Sequence, residues 1–314
     1  MNIVFMGTPQ FAVPSLLQLV DNGYSIKGVV TQPDRPKGRK RILTPPPIKE
    51  AAVQRGLPVM QPERLRTPEA INELAAWQPD LIITAAYGQI LPKEVLDMPR
   101  LGCINVHASL LPKYRGGAPI HHAIINGESE TGVTLMYMAE GLDTGDMIAS
   151  KAVQISDEDN VGTMFVKLAD VGAELLIQTL PDIIAGRAPR IPQDESQATY
   201  APNITREQER IDWNRSAREI FNQVRGLNPW PVAYTTWNGE VLKIWQCLEV
   251  SEDVNDGAAV VPGTVLDLST DGVTVSCGEG AVRITQLQPA GKKAMPVSDF
   301  VRGGKMAKGT VLGQ

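Results

Sequence analysis

The stretch Leu101–Ile120, LGCINVHASLLPKYRGGAPI, decides how the chain is read. Its first part is a strand: Gly102 marks the entry, and Cys103, Ile104 and Val106 are apolar or β-branched. Alternation along a strand puts Asn105 and His107 on one face, with Ile104 and Val106 on the other. A neutral amide and a titratable imidazole therefore point together near the carboxyl end of the strand, where ligands sit in open α/β sheets. Ser109-Leu110-Leu111-Pro112 cannot continue a central strand, because proline has no N–H to give. It reads as a rigid apolar shelf beside the polar pair. Tyr114-Arg115-Gly116-Gly117-Ala118-Pro119 then supplies a cation, a turn and a helix start. A lone histidine is more often a satisfied structural residue than a catalyst, so spacing alone leaves both readings open.

Upstream, apolar strands alternate with helices. Asn2–Met6 is a continuous apolar run ending at Gly7, as expected of a buried parallel strand. Thr8-Pro9 can cap and open a helix carrying Phe11, Leu16, Leu17, Leu19 and Val20. Ile26–Thr31 is a second strand, and Leu81–Ala86 a fully apolar one. This alternation predicts an α/β, Rossmann-like doubly wound sheet. Gly7 lacks the further glycines of a dinucleotide fingerprint, so a nicotinamide dehydrogenase is poorly supported. Downstream, Val161–Ala185 carries apolar residues at helical spacing, with Pro181 expected to break or kink it.

Arg190–Pro202 has neither period and reads as an inter-domain linker. The domains expected are 1–189, a linker over 190–205, and 206–314. In the last, Ser216-x-x-Glu219 is a capping box, and Asn228-Pro229-Trp230-Pro231 stops its helix. Short strands with Asn238-Gly239 and Asp271-Gly272 turns follow, which predicts a small OB-like β-barrel.

Apolar residues make up 43% of the 314-residue chain and charged ones 21%, enough core for two soluble domains. The net charge of −5 argues against a chain coated for nucleic acid, so any such contact must be local. One local island exists. Gln32–Pro47 packs Arg35, Lys37, Arg39, Lys40 and Arg41 against Asp34 between prolines. A solvated loop and a phosphate-binding loop are both open readings. Lys292 and Lys293 belong to a second basic cluster near the C-terminus. Three dispersed cysteines read as buried thiols in a reducing compartment. The three histidines show no zinc spacing, and no metal is expected. No apolar run reaches membrane-spanning length, and the location expected is the cytoplasm.

The string from Asn105 to Gly116 resembles the N-x-H-x-S-L-L-P-x-Y-R-G signature of the folate-dependent formyltransferases. These enzymes move a formyl group from 10-formyltetrahydrofolate to an amine. The family shares a later aspartate in a Gly-rich loop, which Glu140–Asp146 matches at Asp143. The resemblance implies a catalytic Asn105, His107 and Asp143, and a folate shelf at Ser109, Leu110, Leu111 and Pro112. The Pro-bracketed basic loop, the Pro229-Trp230-Pro231 break and the run Leu287–Met295 resemble the branch whose acceptor is methionyl initiator tRNA. That resemblance implies that Arg35, Lys37, Arg39, Lys40, Arg41, Lys292 and Lys293 meet the tRNA, with a specificity arginine at Arg39. Other branches formylate ribonucleotides or sugar nucleotides. A non-catalytic RNA-binding protein would have no use for the Asn105/His107/Asp143 trio.

Overall fold

A computed structural model describes residues 1–38, 40–250, 260–304 and 306–314. Arg39, the expected specificity arginine, lies outside the described residues, as does Lys305. The chain divides into two units. The first comprises Met1–Pro119, Glu130–Gln154 and Phe165–Pro202, and the second Ile120–Ser129, Ile155–Met164 and Asn203–Gln314.

The strands of the first unit are β1 (Ile3–Gly7), β2 (Ile26–Val30), β3 (Arg35–Lys37), β4 (Ile42–Thr44) and β5 (Val59–Met60). They continue with β6 (Leu81–Ala85), β7 (Cys103–His107), β8 (Glu130–Tyr137) and β9 (Met147–Gln154). All but β3 and β4 form one seven-stranded sheet in the order β5-β2-β1-β6-β7-β8-β9. The first five are parallel, while β8 and β9 are antiparallel extensions at one edge. Every residue of β1 and β6 is buried, as a strand covered on both faces must be, and this explains their unbroken apolar runs. The chain crosses from β2 to one side of β1 and from β6 to the other. The strand order therefore reverses between β1 and β6, the point at whose carboxyl ends open α/β sheets bind their ligands.

Interleaved with these strands are helices α1 (Val13–Asp21), α2 (Pro47–Gln54), α3 (Pro68–Ala76) and α4 (Lys93–Leu96), and α5 (Pro119–Ile125), which falls in the second unit from Ile120 on. The long α6 spans Val161–Ile184. A Cβ on Gly172 of α6 would lie 2.8 Å from Val106 Cγ1, so α6 rests directly on the apolar face of β7. That leaves Asn105 and His107 on the opposite face, as alternation requires.

Three local expectations change. Pro181 does not end α6, which runs on to Ile184; the proline sits in the last turn, where few helical bonds remain to be lost. Thr8 caps no helix. Its hydroxyl instead donates to the Tyr87 carbonyl (2.8 Å), and a short 3₁₀ turn, Gln10–Ala12, precedes α1. The basic stretch is not a loop but a two-stranded hairpin, β3 with β4, turning through Gly38 and Arg41 at positive φ. The segment 190–202, expected as a linker, is bonded to the loop of the first unit that carries Arg115. Arg115 N–H donates to the Thr199 carbonyl (2.8 Å), and Ala201 N–H to the Arg115 carbonyl (2.7 Å). It lacks a helical or strand period because it pairs with a loop.

The second unit is built on an antiparallel sheet of six strands. These are β10 (Tyr234–Trp237), β11 (Glu240–Val250), β12 (Val265–Ser269), β13 (Gly272–Ser276), β14 (Ala281–Pro289) and β15 (Met295–Pro296). Asn238-Gly239 forms the tight β10–β11 turn, both residues at positive φ. After the short α7 (Arg206–Glu209), helix α8 (Ala217–Gly226) carries the expected capping box, with Ser216 and Glu219 each satisfying the other's backbone N–H. Ile220, Phe221 and Val224 on α8 join Leu242, Ile244, Val275 and Leu287 in the core. Cys247 and Cys277 are free thiols buried in the same core, and burial pushes the Cys277 thiol up to about 12. Among the described residues no helix is long and apolar enough to cross a membrane.

Candidate active site

Asn105 and His107 leave β7 at its carboxyl end, held between parallel β6 and antiparallel β8. Thr84, directly opposite Asn105 on β6, donates its hydroxyl to Asn105 Oδ1 (2.8 Å). With its oxygen engaged there, the amide turns its two N–H groups away from Thr84. Asn105 is half-buried, so those donors remain reachable.

His107 is 5% exposed and bonded from one side. Its Nε2 is 3.0 Å from the Tyr114 carbonyl. A carbonyl only accepts, so Nε2 carries the proton in this contact, which leaves Nδ1 as the variable position. Nδ1 faces Asp143 Oδ2 at 3.6 Å. That distance is beyond a hydrogen bond, and a proton on Nδ1 is what would turn the contact into one. The same Oδ2 accepts the Gly116 N–H (2.8 Å), so residues 114 and 116 of one loop secure both members of the pair. Asp143 itself adopts a positive φ of 51°, uncommon for a residue with a side chain. Gly145 beyond it has no alternative: a Cβ there would lie 1.7 Å from the Tyr137 carbonyl oxygen.

The cation expected from Arg115 is not offered to a ligand. Arg115 is 0% exposed and forks onto Glu195 (2.9 and 2.7 Å), while Nε and Nη2 also donate to Gln193 Oε1 (3.1 and 2.8 Å). This contact holds the Glu195 carboxyl below its ordinary range. Gln193 spends its own amide hydrogens on the Asp143 carbonyl (2.7 Å) and the Gly145 carbonyl (2.8 Å).

Of the four shelf residues, Ser109 is fully buried and caps the turn, its hydroxyl donating to the Lys113 carbonyl (2.6 Å). Leu111 is also buried; its N–H donates to Thr134 Oγ1 (3.1 Å). Leu110 and Pro112 are half-buried and keep some apolar surface. Two large apolar side chains, Ile90 (85% exposed) and Leu142 (59% exposed), stand on the loops that follow β6 and β8.

The basic residues fall into two places. Lys37, Lys40 and Arg41 are exposed on the hairpin of the first unit, and Arg35 there pairs with Glu63 (2.9 Å). Lys292 and Lys293 are exposed on the turn after β14 in the second unit. Thr84, Gln193 and Glu195 escape a reading of the sequence. Thr84 does leave a trace, as the one hydroxyl in an apolar strand. Gln193 and Glu195 leave none.

Both parts of the chain resemble known proteins. Residues 1–180 match the formyl transferase family, and 203–305 match the formyl transferase C-terminal domain. The chain is 57% identical over 312 residues to the methionyl-tRNA formyltransferase of Bacillus subtilis (strain 168), covering 99% of this chain and 97% of that one. Among solved structures it resembles WlaRD, a sugar 3N-formyltransferase crystallised with dTDP and 5-N-formyl-THF. That match has a TM-score of 0.68 at 21% identity and covers 93% of this chain and 99% of that one. Methionyl-tRNA formyltransferase from Clostridium thermocellum shares the fold at a TM-score of 0.56 and 17% identity, over 79% and 93% of the two chains. A chain matched over both of these domains, and carrying the Asn105, His107 and Asp143 arrangement on β7 and the loop after β8, belongs to the formyl transferase family.

Proposed function

We propose that the protein transfers the formyl group of 10-formyltetrahydrofolate to the α-amino group of methionyl initiator tRNA, yielding N-formylmethionyl-tRNA for translation initiation in the cytoplasm. The observation that carries this reading is identity of 57% running through both units to a methionyl-tRNA formyltransferase. In this reading 1–189 is the catalytic domain, 190–205 joins it to the next, and 206–314 is a tRNA-binding domain. Arg35, Lys37, Arg39, Lys40, Arg41, Lys292 and Lys293 meet the tRNA backbone, and no obligate protein partner is invoked.

The residues fit the chemistry asked of them. Attack of an amine on a formyl carbon creates a tetrahedral centre with an oxyanion. The outward N–H groups of Asn105, oriented by Thr84, donate to that oxygen; one such donor is worth about 3–4 kcal/mol. His107 Nδ1 and Asp143 form the proton-handling pair. Asp143 stabilises a charged imidazole, and the proton lost by the attacking amine passes through this pair or an intervening water to the departing folate nitrogen. The amine is itself the nucleophile, so no serine or cysteine is required. Leu110 and Pro112, with the exposed Ile90 and Leu142, present apolar surface suited to the flat pterin of the co-substrate.

The test is formylation with 10-formyltetrahydrofolate and either initiator or elongator methionyl-tRNA. The expected result is rapid transfer to the initiator alone. Transfer to a sugar nucleotide or ribonucleotide, with methionyl-tRNA left untouched, overturns the assignment. Single substitutions Asn105→Ala, His107→Ala and Asp143→Ala are expected to slow the chemical step in folded protein.

A further inference from the structure

We propose that Gln193 is a positioning residue of the transfer reaction, acting through Asp143. The inference rests on the catalytic reading of His107 and Asp143 given above.

Asp143 stands in a loop between β8 and β9, at positive φ, beside the exposed Leu142. That region is uncommon for a residue with a side chain, though less so for aspartate than for most, and contacts around the loop hold it there. One side-chain amide supplies two of those contacts. Gln193 Nε2 donates to the Asp143 carbonyl at 2.7 Å and to the Gly145 carbonyl at 2.8 Å, bracketing Thr144. Both amide hydrogens are thereby used. Gln193 Oε1 faces the other way and accepts from Nε and Nη2 of Arg115.

This amide has one allowed orientation, because a flip would set its hydrogens against the Arg115 hydrogens and its oxygen against two carbonyls. Arg115 cannot move to accommodate it, being fully buried and forked onto Glu195. The arginine is also the residue between Tyr114 and Gly116. The carbonyl of the first holds His107 Nε2, and the N–H of the second holds Asp143 Oδ2. The Gln193 side chain thus ties the backbone of the Asp143 loop to the backbone that holds both members of the pair. The consequence is that it sets the 3.6 Å separation of His107 Nδ1 and Asp143 Oδ2.

The informative variant is Gln193→Glu. Glutamate keeps an oxygen for Arg115 and so preserves the packing of that buried cation, but it has no hydrogen for the two loop carbonyls. A purely structural Gln193 predicts wild-type turnover in this variant. A positioning Gln193 predicts, in protein that stays folded at the assay temperature whatever its thermal midpoint, KM values for folate and tRNA changed by less than about threefold and kcat lowered about 10- to 100-fold. Because Gln193 is argued to act through Asp143, the effect must also disappear when Asp143 is already disabled. Gln193→Glu added to Asp143→Asn should slow single-turnover transfer no further than Asp143→Asn alone. If Gln193→Glu fails to fold, the same cycle is run with Gln193→Met, which keeps the length without the hydrogen bonds. Wild-type kcat in the single variant, or an equal loss in both backgrounds, overturns the proposal. Failure of the wild-type protein to formylate methionyl-tRNA would instead remove the reading on which it rests.

Discussion

Replacing Thr84 by valine removes one hydroxyl and keeps the shape of the side chain. Thr84 is 2% exposed, and its hydroxyl donates to Asn105 Oδ1 at 2.8 Å. Asn105 Oδ1 is nearer to that hydroxyl than the Ile104 carbonyl (3.2 Å), which favours the amide orientation that turns the N–H groups away from Thr84. A neutral hydrogen bond of this kind contributes about 1 kcal/mol net. Losing that bias lowers the preference for the productive amide orientation about fivefold, since 1.4 kcal/mol is a factor of ten. Single-turnover formyl transfer by Thr84→Val is therefore expected to slow about 3- to 10-fold, whereas removing the donor outright in Asn105→Ala should cost about 100- to 1,000-fold. Thr84→Ser keeps the hydroxyl and should stay within about twofold of wild type. The assay is rapid mixing of enzyme, 10-formyltetrahydrofolate and charged initiator tRNA, with enzyme in excess. A wild-type rate for Thr84→Val, or a Thr84→Ser variant as slow as Thr84→Val, would refute the orienting role of the hydroxyl.

Further outcomes follow from the same geometry. Gly145→Ala places a Cβ 1.7 Å from the Tyr137 carbonyl, a backbone atom that cannot rotate away, so the Asp143 loop must shift. A loss of about 2–3 kcal/mol in urea unfolding and a slower transfer step are expected, and unchanged values in both would contradict the close approach. Glu195 is held below its ordinary value of 4.5 by its hydrogen bonds to Arg115. A carboxylate with a depressed folded pKa contributes stability above its unfolded value and loses it as pH falls toward the folded one. Glu195→Gln should accordingly flatten the acid limb of stability below pH 4.5, and superimposable acid titrations of the two proteins would count against the clamp. On the hairpin, Lys37→Ala and Arg41→Ala should each flatten the plot of log tRNA affinity against log salt by about 0.7–0.9. Identical slopes would leave the hairpin as a solvated surface.

How much of this was legible beforehand differs from residue to residue. The pairing of Asn105 with His107 on one face needed only the two-residue repeat of a strand, and α6 lying on Val106 confirms which face is free. The buried parallel strands were equally plain, since β1 and β6 are covered on both sides and carry nothing polar except Thr84. The Ser216/Glu219 capping box and the Asn238-Gly239 turn follow local rules of a few residues, and both stand in the structure. The basic island was visible as composition, but its conformation was not. Short strands such as Arg35–Lys37 have no apolar repeat, and their pairing with Ile42–Thr44 is decided across the turn.

The amino-acid sequence by itself determined the layered α/β plan and the antiparallel second unit, which are encoded by periodicity and turn residues, and it named the candidate trio through resemblance to a family signature. Only the tertiary structure decided what holds the trio in place. Arg115 reads as a free cation in its own stretch, yet it is fully buried against Gln193 and Glu195, close to 80 residues further along the chain. Those partners come from a segment with no period, whose bonds run to a loop. Hydrogen bonds between distant irregular segments depend on where the chain has already folded, and no local pattern of residues records them.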